Sequence, residues 1–227
     1  MKSTKKEGMG NVTTEMIKQL REMTGAGMMD CKAALAEADG SMEKAIEVLR
    51  KKGLKDVGKR AGKTAAEGTI GVYVHPGDQV AALVELNCET DFVARGDEFR
   101  ALARDIAMHV AAMRPTYVSV EEVPEELLTK EKEILMEQLT PEQRNKADKI
   151  LPGKLEKFYE GSVLLKQKFV KDDSDTKTIK DLVDDMSIRS GEKVTVRRFS
   201  RVEVGEGIAR QSANLAEDVA ALVGNGE

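Results

Sequence analysis

Apolar positions along the chain follow a helical period before about residue 68 and a mixed one after it. Ile17 and Leu20, flanked by Met16 and Met23, share one face of a helix that Thr13 can cap and "TGAG" (Thr24 to Gly27) closes. "MMDCKAALAEA" predicts a second helix ending near Gly40. Ser41 then caps a third, "MEKAIEVLRKK", with Ala45, Ile46 and Leu49 on one side and Gly53 as its stop signal. Three short helices over residues 12–54 make a minimal bundle, only marginally stable alone. Residues 1–11 show no period and read as a flexible tail; residues 55–67, rich in Gly, Ala and Lys, read as a linker.

From residue 68 to 227 the pattern predicts an α+β core. "GTIGVYVH" and "QVAALVELNC" read as strands joined by the turn "PGD". A helix from about Asp97 to Met113 places Phe99, Leu102, Ile106, Val110 and Met113 on one stripe, and Arg114-Pro115 ends it. Residues 121–160 are charged and Leu-rich, with Leu128, Leu135 and Leu139 on a seam and Leu127 and Ile134 beside it. "TPEQ" (Thr140 to Gln143) is a capping box with Pro at the first helical position, so a second helix should start there. The segment reads as a helical hairpin projecting from the core, with a flat lid as the alternative. A short strand near "SVLLKQKFV", a helix over Thr178–Ile188, a strand in "EKVTVRRFSRVEV" and a terminal helix in "GIARQSANLAEDVAALV" complete the expectation. The predicted class is α+β: a three-helix bundle, then a core with a small antiparallel sheet and a helical hairpin.

Composition narrows the function. Charged residues make up 33% of the chain, above the globular norm of about 25%, which suggests much solvated helical surface. Aromatic residues are only 4%, so aliphatic side chains, Ala and eleven Met must build the core. A net charge of −4 argues against direct nucleic-acid binding, because phosphate contacts need a basic footprint. Cys31 and Cys88 form neither a CxxC nor a zinc-spaced pair, which fits a reducing, cytoplasmic setting. No apolar run is long enough for a membrane helix, and "MKSTKKEGMGN" lacks the apolar stretch of a secretory leader, so no membrane partner is expected.

Several motifs resemble chemistry without supporting it. "GLKDVGKR" (Gly53 to Arg60) has the spacing of a phosphate-binding loop but Arg60 in place of the Ser or Thr that meets magnesium. "GKRAGKT" (Gly58 to Thr64) ends correctly but is one residue short, and neither follows a buried strand. The seven basic residues from Arg50 to Lys63 read as solvated rather than as a nucleic-acid patch. His109 lies inside a periodic helix and reads as structural; His75, at a turn, is a candidate contact residue. No nucleophile–base spacing is present, so neither covalent chemistry nor a cofactor is expected.

"NCETDFVAR" (Asn87 to Arg95) breaks the pattern. It sets Asp91 beside Phe92 at the exit of a strand, outside the apolar alternation, in a chain with only five Phe. Together with "TGAGMMDCKAAL" (Thr24 to Leu35) and "RVEVGEGI" (Arg201 to Ile208), this stretch strongly resembles the translation elongation factor Ts family, in the family's order from about Val12 onward. Glu89 and Arg95 read as mild variations around the motif.

The resemblance implies a guanine-nucleotide exchange factor for elongation factor Tu, with a ubiquitin-associated-like bundle that binds the GTPase's nucleotide domain. It maps the family's paired Met onto Met28 and Met29, which helical spacing alone would assign to the core. It also implies that Thr90 to Val93 dislodge the partner's magnesium: Phe92 wedges between helices of the nucleotide domain, and Asp91 disturbs the network around the ion. Longer members carry two core halves, whereas one strand–strand–helix unit is visible here. The resemblance to shorter members therefore implies a homodimer. The rival readings are an adaptor, which would have no use for "TDFV", and a small NTPase resting on the decoy loops.

Overall fold

The computed structural model describes residues 12–174 and 176–208. Helices α1 (Thr14–Thr24), α2 (Met28–Glu37) and α3 (Met42–Arg60) form the N-terminal bundle. Thr13 Oγ1 accepts from Met16 N at 3.2 Å, Gly25 closes α1 in the left-handed region, and Ser41 caps α3. The bundle core is small: Leu20, Cys31, Ala34, Leu35, Ala38, Ala45 and Leu49. Met23, expected on the inner face of α1, is 60% exposed.

The third helix does not stop at Gly53. It runs unbroken to Arg60, through the first six residues of the segment that reads as a linker. A Cβ at Gly53 would lie 2.7, 2.8 and 2.9 Å from three side-chain carbons of Ile188. Ile188 belongs to a later helix, α9 (Ile179–Ser190), that packs against α3. Gly53 therefore permits a close helix–helix approach, and the helix tolerates its poor propensity. Arg50 adds an ion pair to Asp181 of α9 at 2.9 Å.

Strands β1 (Glu67–Val74), β2 (Val80–Cys88) and β3 (Thr195–Glu203) make an antiparallel sheet in the order β1-β2-β3. One face packs on α5 (Asp97–Met113), burying Ala82, Val84 and Leu86 with Phe99, Ala103, Ile106 and Val110. At Gly71 a Cβ would overlap the backbone of Ala103, so only glycine lets α5 lie this close to β1. The opposite face is bare, with Ile70, Val72, Val74, Leu83, Val202 and Val204 all exposed.

Arg114, left-handed at φ 51, ends α5 before Pro115. The hairpin follows as α6 (Glu125–Glu137), the short α7 (Pro141–Arg144) and α8 (Ala147–Ser162), with α6 packed on α8. Leu135, Leu139 and Ala147 are buried there, while Leu127 and Ile134 stay exposed. The capping box between Thr140 and Gln143 is present, but it opens only α7; the long return arm starts at Ala147.

The strand expected near "SVLLKQKFV" is absent. Val163 and Leu164 are fully buried by a single 3₁₀ turn, Leu164–Lys166, and the segment makes only isolated bridges, Tyr117 with Val163 and Lys168 with Thr178. Scattered backbone bonds, such as Leu164 N to Tyr117 O at 2.8 Å and Phe169 N to Lys177 O at 2.8 Å, anchor it together with side chains. His109 Nε2 lies 3.1 Å from Gln167 Oε1, and Val170 N donates to His109 Nδ1 at 3.2 Å. The helix expected after Gly207 lies outside the described residues.

Candidate functional site

β2 ends at Cys88, and within three residues the chain becomes α4 (Asp91–Ala94). Thr90, still extended at φ −127, caps this one-turn helix, its Oγ1 accepting from Val93 N at 3.5 Å. Ala94 is buried and Val93 partly so, both against the sheet core. These two contacts hold the inner side of α4 and leave its outer side to Asp91 and Phe92. Phe92 is 85% exposed, the most exposed large hydrophobic side chain among the described residues. Asp91 pairs with Arg95 one turn on, at 2.8 Å, with both side chains largely in solvent.

The base of the loop is tied closely. The Cys88 thiol donates to Thr90 O at 3.1 Å, and burial, reinforced by the negative charge of Glu192, pushes its pKa up to about 11. The thiol therefore stays neutral and acts as a donor. Glu89 Oε1 accepts from Lys193 N at 2.7 Å, and its other oxygen pairs with Lys63 at 2.9 Å. The Lys193 N–H, then the Lys63 ammonium, hold the Glu89 carboxyl below the usual carboxylate range. Glu192 accepts from Glu89 N, Thr90 N and Thr90 Oγ1. Glu89 thus takes part in holding the loop, Arg95 pairs with Asp91 in solvent, and Lys63 is half-exposed but paired. Glu192 and Lys193 carry no signal in the sequence; their partners lie on the far side of the chain.

The other expected site residues sit apart from one another. Met28 and Met29 open α2 and are 43% and 76% exposed. His75 is exposed, 3.0 Å from the Tyr73 hydroxyl, beside a pocket of about 300 Å³ lined by Tyr73, Val80 and Met108. Glu67 pairs with Cys88 and Val74 with Ala81, so His75 and the loop leave opposite ends of the sheet. They are roughly 25 Å apart at about 3.3 Å per residue. Phe92 and His75 cannot share one small contact patch. The phosphate-loop decoys fall at the end of α3 and ahead of β1, the reverse of the strand-then-helix order such a loop needs. Among the described residues, no group of three or more His, Cys, Asp or Glu could hold a metal ion.

A large apolar side chain held in water by a rigid, capped loop, with an exposed Met pair on a separate bundle, defines an α+β protein whose distinctive surface is displayed rather than enclosed. Residues 4–206 match the family model described as Elongation factor TS. Elongation factor Ts of Carboxydothermus hydrogenoformans is 50% identical over 214 residues, covering 93% of this chain and 98% of that protein. That of Moorella thermoacetica is 55% identical over 196 residues, 86% of this chain and 96% of its own length. That of Thermotoga maritima is 52% identical over 196 residues, covering 86% and 98%. The chain belongs to the elongation factor Ts family.

Proposed function

We propose that this chain is a guanine-nucleotide exchange factor for elongation factor Tu, acting in the cytoplasm. It docks on the GDP-bound GTPase, dislodges magnesium and releases GDP so that GTP can bind. The observation that carries this reading is the display of Phe92. Its loop is ordered before any partner arrives, so docking loses little to ordering. Burying the ring is worth about 1.5–3 kcal/mol, roughly ten- to hundredfold in rate when gained only in the exchanging complex.

Within the loop the roles divide. Thr90 and Val93 hold the turn, while Asp91 and Phe92 act on the partner. An exposed pair such as Asp91–Arg95 is worth at most about 1 kcal/mol, so little opposes the carboxylate turning toward the ion's shell. Magnesium neutralises phosphate charge, and without it the nucleotide is weakly held. Met28 and Met29 contact the GTPase's nucleotide domain, and His75 serves as a second, separate contact. The factor works by binding alone. Coupling is reciprocal, so bound nucleotide weakens the factor's hold as much as the factor weakens the nucleotide's.

The bare face of the sheet supports a homodimer. Val72 and Leu83 stand opposite each other at its middle, and Val202 is beside Ala81, giving one continuous apolar surface. A two-fold copy of the same face is the simplest cover for it.

The test is stopped-flow release of a fluorescent GDP analogue from elongation factor Tu. Phe92→Ala should slow catalysed release about ten- to hundredfold. Asp91→Ala should slow it too, with a defect that shrinks at very low magnesium. Release by Phe92→Ala at the natural rate would sink the reading.

A further inference from the structure

α4 has four residues, too few to be stable by its own hydrogen bonds. One carboxylate from the far end of the chain supplies much of what it lacks. Glu192 Oε2 accepts from Glu89 N and Thr90 N, each at 3.0 Å, and Oε1 accepts from the Thr90 hydroxyl at 2.6 Å. Two of these donors are the last backbone groups before α4, so their direction sets the direction in which α4 leaves β2.

Glu192 is itself immobilised. Gly191, left-handed at φ 72, turns the chain out of α9, and Glu192 N donates to Ser190 Oγ at 3.3 Å. The buried Ser187 hydroxyl donates to the Glu192 carbonyl. Gly191 N also donates to Ser187 O at 3.0 Å, and Ser190 Oγ to the same carbonyl at 3.5 Å, closing the turn between α9 and β3. Its own closure does not use the Glu192 carboxylate, whose hydrogen-bond donors all lie at the base of the loop. Lys193 repeats the tie from the next position. Its N–H donates to Glu89 Oε1 at 2.7 Å, and its Nζ reaches Ala61 O at 2.6 Å and Lys63 O at 2.8 Å, just past the end of α3.

We propose that Glu192 is the positioning residue of the exchange loop: its carboxylate fixes the angle at which Thr90 launches α4, and with it the point where Phe92 meets the partner. This rests on the exchange function proposed above. Lys193 carries the same tie to the end of α3. The bundle bearing Met28 and Met29 and the loop bearing Phe92 therefore share one junction. Holding a functional group from behind in this way lowers the ordering cost at the moment of docking.

The comparison that tests this is Glu192→Ala against Glu192→Gln in the full chain. Glutamine can keep the geometry, since its carbonyl oxygen can accept both N–H groups and its amide can donate to the Thr90 hydroxyl. Three measurements are made on each: amide hydrogen exchange, denaturant unfolding, and the concentration dependence of GDP release from elongation factor Tu. Glu192→Ala should speed exchange of the amides from residue 89 to 95 and leave the bundle unchanged. Its saturating release rate should fall about ten- to hundredfold, the scale of a small misplacement of an acting group. The half-saturating concentration should move much less. Glu192→Gln should hold the rate within about threefold.

Unchanged amide exchange in Glu192→Ala would overturn the clasp whatever the partner does. A loosened loop with the natural release rate would overturn its link to exchange. Glutamine as damaging as alanine would mean that the carboxylate acts by its charge and not by positioning. Should Glu192→Ala unfold the chain, Glu192→Asp, which keeps the charge but draws the carboxylate back by one methylene and leaves the Thr90 cap on Val93 intact, carries the same comparison. If the natural chain fails to speed release, the exchange function itself has failed, and hydrogen exchange still decides the clasp.

Discussion

Replacing Gly53 by Ala sets two effects against each other. In the middle of a helix the change should stabilise by about 0.8–1 kcal/mol, because alanine has the better propensity. Here the new methyl would meet Ile188 Cδ1, Cγ1 and Cγ2 at 2.7, 2.8 and 2.9 Å. Turning Ile188 about χ1 does not help, since both of its γ carbons lie inside contact distance and rotation exchanges one for the other. Relief therefore requires α3 and α9 to separate. Overpacking of this kind costs about 1–3 kcal/mol. A cavity of about 510 Å³ at this seam, lined in part by Ile188, gives some room and argues for the middle of that range. Gly53→Ala should then be destabilising by roughly 1 kcal/mol net, a fall in Tm of about 2–4 °C. In an Ile188→Ala background all three clashing carbons are gone, and the same substitution should stabilise. A double-mutant cycle by urea unfolding reads this change of sign directly. If Gly53→Ala stabilises equally in both backgrounds, the close approach has no energetic weight and the account of Gly53 is wrong.

Phe92→Ala should leave the unfolding midpoint nearly unchanged, far from the ~3–5 kcal/mol that truncating a buried Phe costs, as urea titration will show. Val72→Lys, at the centre of the bare sheet face, should convert a dimer to monomer by light scattering with the fold intact; a natural chain that is monomeric at micromolar concentration contradicts the dimer. His109 is buried, and desolvation lowers its pKa from the ordinary 6.5 against the opposing bond to Gln167. The unfolded chain therefore binds the proton first: stability is full above about pH 6.5 and falls below it, by at most about 1.4 kcal/mol per pH unit, a slope that His109→Gln should remove. Cys88, buried and held neutral, should label with a maleimide near pH 7 only as fast as the chain opens, whereas labelling at the rate of a free thiol would contradict its donor role.

Local signals carried most of the secondary structure. The alternation in β1 and β2, the stripe from Asp97 to Met113 and the caps at Thr13 and Ser41 each depend on residues within a turn or two of one another. Gly53 misled because a stop signal and a close-packing glycine look identical until Ile188 is known. The run around Val163 misled for a similar reason: its apolar residues satisfy the strand pattern, but Leu164 packs into the core between sheet and helices and Val170 N bonds to His109 rather than to a strand. At the site, Phe92 was legible because it broke the apolar pattern. What holds it was not, since Glu192 and Lys193 are an ordinary charged pair in a turn, and their meaning lies in backbone groups remote in sequence.

The central strand of the sheet is second in the chain, and its outer neighbour β3 is nearly last. The clasp on the loop comes from the same late segment. Contacts this distant in sequence form slowly and late, because the chain must close a long loop before they return anything. During synthesis the helices of the bundle can form once residue 60 is free, but α3 lacks its partner α9, β2 keeps one edge open and α4 lacks its clasp until residues 179–203 emerge. A nascent chain therefore has the helices of its bundle long before it can present an ordered Phe92. Order of synthesis thus places the bundle helices first and the clasped loop last among the described elements.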